Sequence, residues 1–486
     1  MSLLANIAAT TTAGLLIAFV LDRWRSNAKH LPPGPTGLPF IGNLLQLPRK
    51  NAHVAFRDMG RMYGDVMALR VPGLTCLILN SCEAISDLLG GRSAIYSDRP
   101  RSIMGRELAG FEGAVAMLNN TLRYRACRRL LQKGLGPSAA QSYVPFLNRQ
   151  SALFLEDLQK RPEDFAHVVK RNVAAFSAKV AYGYDGITED EDLYQLAHKA
   201  NEHFAQTAVL GEWLVDLIPI LRYVPKWFPL ADFQRYAARA KPVVLESVNK
   251  PFEETKRHMD SGTIGPSFAS MLLQAHSGDP EEEYCIKWSS AGILMGSMDT
   301  TTSLMSWFFL AMALYPDVQA KAQAEIDKVI GGERLPRIED KEVLPYVSAV
   351  MKEVFRWHPV VPLIPHALST DDEYRGYFIP AGTAVVANAW AILHDENIYH
   401  DPENFIPERF FEGVPDSLDY AFGFGRRACP GQHFAKAHIF VSIAAALATF
   451  DVKKARDARG IVIEPRLQTV IHRALGRFIS PRILSI

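Results

Sequence analysis

The sequence predicts a mainly α-helical protein with a minor β component, gathered in one large domain behind an N-terminal membrane anchor. Three observations lead there. Apolar residues recur at helical spacing through the middle of the chain, strand-like runs are few and short, and an apolar run from Leu3 to Leu21 is followed at once by basic residues.

The helices announce themselves by their ends as well as their faces. Pro316 suits a first helical position, Val318, Ala322, Ile326 and Val329 follow on one face, and Gly331-Gly332 ends the run. Pro345 opens a second helix through Val347, Val350, Met351 and Val354, which ends near Pro359. A third, strongly apolar helix is expected from about Ser289 to Leu314. Val66–Val71 and Cys76–Leu79 flank the Pro72-Gly73 turn and are expected to pair as a hairpin, and Thr383–Ala387 is a further strand.

The apolar N-terminal run weighs toward an anchor. About 19 residues at 1.5 Å each reach roughly 28 Å, enough for a thin bilayer. Arg23, Arg25 and Lys29 follow it and no basic residue precedes it, which places the body of the protein in the cytosol. A cleaved signal peptide is the plainer alternative, but the start is not basic and Phe19-Val20-Leu21-Asp22 is a poor cleavage site. The proline-rich segment Leu31–Pro39 then stiffens the backbone as a spacer. The expected organisation is an anchor over 1–22, a basic and proline-rich hinge over 23–44, and a single domain over 45–486.

Net charge is +1, so nucleic acid is not an expected partner. The five cysteines (Cys76, Cys82, Cys127, Cys285 and Cys429) form no CxxC pair and no cluster with histidine. That argues against a zinc site and against a disulfide scaffold, and suggests a reducing compartment.

Four separated motifs carry the chemistry. Cys429 stands in Phe422-Gly423-Phe424-Gly425-Arg426-Arg427-Ala428-Cys429-Pro430-Gly431. A lone cysteine is normally a small buried hydrophobe. Here glycines let the backbone pass close to a flat cofactor and aim N–H groups at the sulfur. A thiolate so placed can ligate a haem iron and favour O–O cleavage. Glu353 and Arg356 are three apart on one helix face and can pair, which on a surface would mean little. Gly296-Ser297-Met298-Asp299-Thr300-Thr301 puts an acid beside a hydroxyl in the middle of the apolar helix, where an unpaired carboxylate is unfavourable. Thr300 can equally bond back to an earlier carbonyl of its own helix. The fourth motif, Tyr124-Arg125-Ala126-Cys127-Arg128-Arg129, is otherwise read as a solvated basic helix face.

Taken together these motifs resemble the cytochrome P450 family, in particular its microsomal fungal members, along almost the whole chain. The resemblance implies the P450 fold and haem b with Cys429 as axial thiolate, in the pattern Phe422-x-x-Gly425-x-Arg427-x-Cys429-x-Gly431. It implies that Glu353 and Arg356 are buried and joined by Arg409. Arg427, Arg128, Tyr124 and His366 are expected at the haem propionates, with Tyr124 standing where the family usually has tryptophan. Asp299 and Thr300 match the acid–alcohol pair that relays protons during oxygen activation. Ser297 departs from the glycine usual there, either tightening the groove or adding a hydrogen bond.

The resemblance further implies a monooxygenase that oxidises a lipophilic molecule, terpenoid or polyketide-like, with O2. No GxGxxG-led dinucleotide domain appears, so electrons are expected from a membrane NADPH–cytochrome P450 reductase at the endoplasmic reticulum. Arg125, Arg129, Lys133, Arg426 and Lys436 are candidate docking charges. Ile103, Met104, Phe111, Val115, Met117, Ala205, Val209, Met295, Val360, Val361, Leu363, Val470 and Ile471 are read as pocket or core, and Leu214–Leu230 as a segment that dips into the membrane. A reductase-independent haem-thiolate isomerase or dehydratase, and a non-catalytic haem or lipid carrier, are the alternatives.

Overall fold

The computed structural model describes residues 14, 30–184, 192–208, 211–229, 231–457, 459–464 and 484–485. The expected anchor over 1–22 lies, but for residue 14, outside the described residues, as do Val209, Val470 and Ile471. Among the described residues no helix is long and apolar enough to cross a membrane.

Mainly helical structure with a small sheet component is what forms, in two compact units. The first lies within Met1–Pro100, Leu363–Ala391 and Phe424–Arg426. It holds helix α1 (Ala52–Tyr63) and a four-stranded sheet of β1 (Val66–Val71), β2 (Leu74–Leu79), β3 (Leu363–Ala367) and β6 (Ala384–Asn388) in the order β1-β2-β6-β3. The expected hairpin is present, with Ala68 opposite Leu77. β2 and β6 run parallel and β3 pairs antiparallel with β6. All five residues of β6 are buried, as befits a central strand. Pro365 lies in the edge strand β3, where a missing N–H is tolerated. A separate hairpin joins β4 (Asp372–Tyr374) to β5 (Tyr377–Ile379); Arg375 (φ 51°) and Gly376 (φ 77°) make its left-handed two-residue turn.

The second unit, within Arg101–Pro362, Ile392–Gly423 and Arg427–Ile486, is helical. Its longer helices include α2 (Leu122–Leu135), α3 (Val144–Lys160), α4 (Phe165–Tyr182), α5 (Asp192–Thr207), α6 (Asp232–Asp260), α7 (Pro280–Leu314), α8 (Pro316–Val329), α9 (Pro345–Trp357) and α10 (Gln432–Thr449). The central helix α7 packs against α2, α4, α5, α6 and α10. Its amphipathicity is weak because nearly its whole circumference is covered: Ile286, Leu294, Leu304, Phe308 and Phe309 are all buried.

α7 starts nine residues before the expected Ser289. Asp279 caps it by accepting from Glu281 N, Pro280 takes the first position, and Glu281–Glu283 favour its positive end. Periodicity of apolar residues does not see such a polar first turn. On α8, Val318, Ala322 and Ile326 are buried as expected, but Val329 is 44% exposed, because it closes the helix beyond the packed stretch.

A buried polar network stands in this unit. Arg356 Nε and Nη2 each donate to a Glu353 carboxylate oxygen at 2.8 Å. Arg409 Nε reaches the same carboxylate at 3.2 Å, as does the Ile406 N–H at 2.8 Å. The remaining guanidinium donors go to carbonyls: Arg356 to Leu393 and Asn404, Arg409 to His400 and Asp401. All three side chains are fully buried. Burial pulls the Arg409 guanidinium below its usual range, and the Glu353 charge opposes that.

Candidate active site

The cysteine loop is closed by a hydrogen bond from Cys429 N to Phe422 O at 2.7 Å. Between them Gly423 (φ 77°) and Gly425 (φ 54°) take left-handed conformations. A Cβ on Gly425 would come within 2.0 Å of the Leu89 carbonyl, so glycine is required there on two counts. The Phe422 ring packs on Phe355 at 5.2 Å, which ties the loop to α9, the helix of Glu353 and Arg356.

Burial pushes the Cys429 thiol up, opposed by the Gly431 N–H and by the charges of Arg128 and Lys436. The sulfur thus lies in electropositive surroundings with a backbone donor aimed at it, the setting that stabilises a ligating thiolate.

Arg427 is buried, donates from Nη2 to Leu118 O at 2.6 Å, and lays its guanidinium 3.7 Å from the centre of the Tyr124 ring. Tyr124 is likewise buried, in the first turn of α2, whose N-cap Thr121 accepts from Tyr124 N. The ring that stands in place of tryptophan therefore offers its face to the arginine, a cation–π pairing. Arg128 follows one turn later on α2 and is half-buried. His366 is buried in the sheet unit, on β3, with Nδ1 on the Tyr96 carbonyl at 2.8 Å.

On α7, Gly292, Gly296 and Thr300 fall four apart and so share one face. A Cβ built on either glycine would meet no atom within 4 Å, although Ala291, Leu294 and Met298 beside them are buried. One stripe of an otherwise covered helix is thus open at the level of the acid–alcohol pair. Thr300 Oγ1 donates to Gly296 O at 2.7 Å, the local bond its position allows. Asp299 is held differently. Burial pushes its carboxyl up, while the Asn201 side chain hydrogen-bonds it and the charges of His198 and Lys170 oppose the rise.

Two partners of this segment were not foreseeable from any motif. Asn201, on α5, is buried and donates from Nδ2 to Met295 O at 2.9 Å besides bonding Asp299. Ser177, on α4, accepts from Ser297 Oγ at 2.5 Å. Ser297 thus does add a hydrogen bond, one of its two readings. A third unforeseen group is Asp216, which accepts from the N–H groups of Met104 (2.8 Å) and Ile103; burial raises its carboxyl to about 6.

Several residues read as pocket or core sit in apolar clusters. Ile103 and Met104 pack with Val215 and Ala237. Phe111 and Met117 pack with Val244, Trp288 and Ala291, and Met295 is only partly buried beside them.

The cytochrome P450 family model matches residues 32–476. This chain belongs to the cytochrome P450 family. Cytochrome P450 monooxygenase 208 of Postia placenta is 40% identical over 99% of this chain and 95% of its own length. Cytochrome P450 monooxygenase COX2 of Coprinopsis cinerea is 39% identical over 96% of this chain and 90% of its own. Cytochrome P450 monooxygenase claR of Ampulloclitocybe clavipes is 38% identical over 93% and 86%. This P450 is accordingly a monooxygenase of the oxidoreductase class, whose cofactor is haem b with an axial cysteine thiolate and which works with a redox partner, O2 and an organic substrate. The donor set fits that group. A thiol among positive charges, a buried arginine stacked on an aromatic ring, and an open glycine stripe are what a flat, iron-bearing dianion requires.

Proposed function

We propose that this P450 hydroxylates or otherwise oxidises a lipophilic small molecule of terpenoid or polyketide-like character, in secondary metabolism, with electrons from NADPH–cytochrome P450 reductase. The observation that carries the reading is the open Gly292–Gly296–Thr300 stripe beside a half-buried Asp299 whose direct hydrogen-bond partner is neutral. In this reading Cys429 ligates the iron, with Phe422 closing the loop around it. Arg427, Arg128, Tyr124 and His366 hold the propionates. When bound, haem supplies reductive activation of dioxygen and oxygen insertion into carbon.

The protein's own residues then act on protons and position. The raised Asp299 carboxyl takes up a proton readily, with the Asn201 amide holding its oxygens in place. Thr300 keeps its hydroxyl at the open face through the Gly296 carbonyl and passes a proton onward by rotating away from it. Apolar side chains around Met295, Phe111 and Phe204 exclude water.

The same proposal places residues 1–22 in the endoplasmic reticulum membrane, 23–44 as the hinge, and 45–486 in the cytosol as the catalytic domain. Leu214, Ile218, Ile220, Tyr223, Trp227 and Phe228 support membrane contact, since all are exposed along one short stretch. Arg125, Arg129 and Lys133, four apart and exposed on α2, support docking of an acidic reductase, with Arg426 and Lys436 as further charges.

Microsomes carrying this protein and a reductase, screened against terpenoid and polyketide panels by mass spectrometry, test the reading. NADPH-dependent products gaining one oxygen are expected. Cys429→Ser should abolish both these products and the thiolate-type spectrum of the reduced carbon monoxide complex. Turnover without NADPH, or an unchanged spectrum in that variant, would sink it.

A further inference from the structure

One carboxylate joins two short helical turns that lie far apart in the chain. Ile103–Leu108 is a single π-helical turn and Leu214–Leu217 a single α-helical one. Segments so short do not hold a helical shape unaided. Asp216, in the second, accepts a hydrogen bond at 2.8 Å from the N–H of Met104, at the start of the first. The next N–H, of Gly105, goes to Ser102 Oγ at 3.1 Å. Ile103 and Met104 pack with Val215 and Ala237 across the same junction. A second pair, Arg222 with Glu107 at 2.9 Å, joins the two stretches again, but both its side chains are partly in solvent and it holds them weakly.

The first turn is tied through its own backbone to the apolar wall beside α7. Ala109 N donates to Met104 O at 2.8 Å, and Phe111 N to Gly105 O at 3.1 Å. Phe111 is buried and meets Phe204 of α5 edge to face, with ring centres 5.3 Å apart. It shares a cluster with Trp288 and Ala291 of α7, the latter next to the open Gly292. The turn has no slack, since a Cβ on Gly105 would come within 2.8 Å of Met117 Cε and 3.3 Å of the Thr207 carbonyl. In packing this close, a shift at the Met104 N–H is passed on to Phe111.

We propose that Asp216 is a positioning residue for the substrate: it latches the Ile103–Leu108 turn so that Phe111 stays closed on Phe204, and its release opens that wall to an apolar ligand. The inference rests on the reading of this wall as the substrate side of the site. A half-buried carboxylate suits the task. It holds a backbone N–H firmly while closed, and water can take over both partners once they part, so opening leaves neither group unsatisfied. An apolar contact alone has no such second partner. Leu214 and Ile218, two residues to either side of Asp216, are exposed. The latch therefore lies in the stretch that supports membrane contact, where an apolar ligand is most concentrated.

The test uses full-length holoprotein and two measurements. Stopped-flow absorbance follows binding of phenylimidazole, an apolar probe that ligates the iron, and hydrogen–deuterium exchange follows the peptide that contains Met104. In Asp216→Ala, association and dissociation of the probe should both quicken roughly three- to tenfold, with little change in their ratio, and exchange at Met104 should rise by a similar factor. Asp216→Asn keeps an acceptor oxygen and should stay near the parent protein in both measurements. Should Asp216→Ala fail to fold, Asp216→Glu, whose longer side chain misplaces the acceptor, carries the same expectation. A lower melting temperature with probe kinetics and Met104 exchange unmoved would make Asp216 merely structural and overturn the latch, while the probe spectrum would still support the haem-thiolate site. A parent protein that gives no probe spectrum would overturn the site reading and the latch with it.

Discussion

Buried carboxylates are handled in opposite ways in two regions of the helical unit. Glu353 is fully buried and faces two guanidinium groups, whose remaining donors are taken up by carbonyls. Asp299, and likewise Asp216, is bonded directly only by neutral donors, an amide or backbone N–H groups, and both carboxyls are pushed up by burial. The first arrangement holds charge in place and is costly to disturb. The second makes the protonated form accessible. A carboxylate meant to brace the fold is paired with charge; one able to exchange a proton is not.

The comparison can be broken hardest at Arg356. Arg356→Leu leaves Glu353 facing Arg409 alone and should cost about 3–5 kcal/mol. The expected result is little folded, haem-containing protein, read by absorbance and by thermal melting. A variant that folds normally would show that the network does not brace this region.

Thr300→Ala should instead leave stability within about 0.5 kcal/mol, because it removes only a bond within its own helix. Its expected effect is functional: haem retained, NADPH consumption outrunning product, and hydrogen peroxide released. Coupled turnover at the original rate would remove Thr300 from the proton path.

Asp216 offers a pH test. Its carboxyl lies near 6 in the folded protein against 3.8 ordinarily, so ionisation is harder in the fold than in the unfolded chain. Below pH 3.8 both states hold the proton and the group is neutral in effect. As pH rises from 3.8 to about 6 the unfolded chain loses its proton first, and stability declines through that window. Asp216→Asn should therefore flatten the pH dependence of the melting temperature there, by on the order of 1 kcal/mol after allowing for partial exposure.

The smallest effect is expected at Ser177. Ser177→Ala removes the partner of Ser297, which still has the Ile293 carbonyl, so a loss of about 0.5–1 kcal/mol is expected. Denaturant titration measures it. A shift in the coupling of NADPH use to product in this variant would show that the α4 contact also sets the acid–alcohol segment.

How far the site was legible depended on distance along the chain. Glu353 with Arg356 was readable because three residues on a helix bring two side chains together. Arg409 came only through resemblance, since nothing local joins it to Glu353, 56 residues away along the chain. Tyr124 and Arg427 were both named for propionates, but their stacking on each other was not visible in either motif. Asn201 and Ser177 had no signal at all. An asparagine and a serine within amphipathic helices are ordinary until packing brings them against α7. The start of α7 was missed because its first turn is polar and defined by the Asp279 cap.

What the sequence determined by itself is therefore local: the helical and strand periods, the glycine loop around Cys429, and the residue types of the acid–alcohol and Glu–Arg motifs. Each follows from groups within a turn or two of one another, where covalent geometry fixes the spacing. Only the tertiary structure decided the partners: that Ser297 bonds α4, that Asn201 holds Asp299, and that Arg427 lies on Tyr124. Those contacts join helices far apart in the chain. They depend on how buried apolar faces pack, which no single segment encodes.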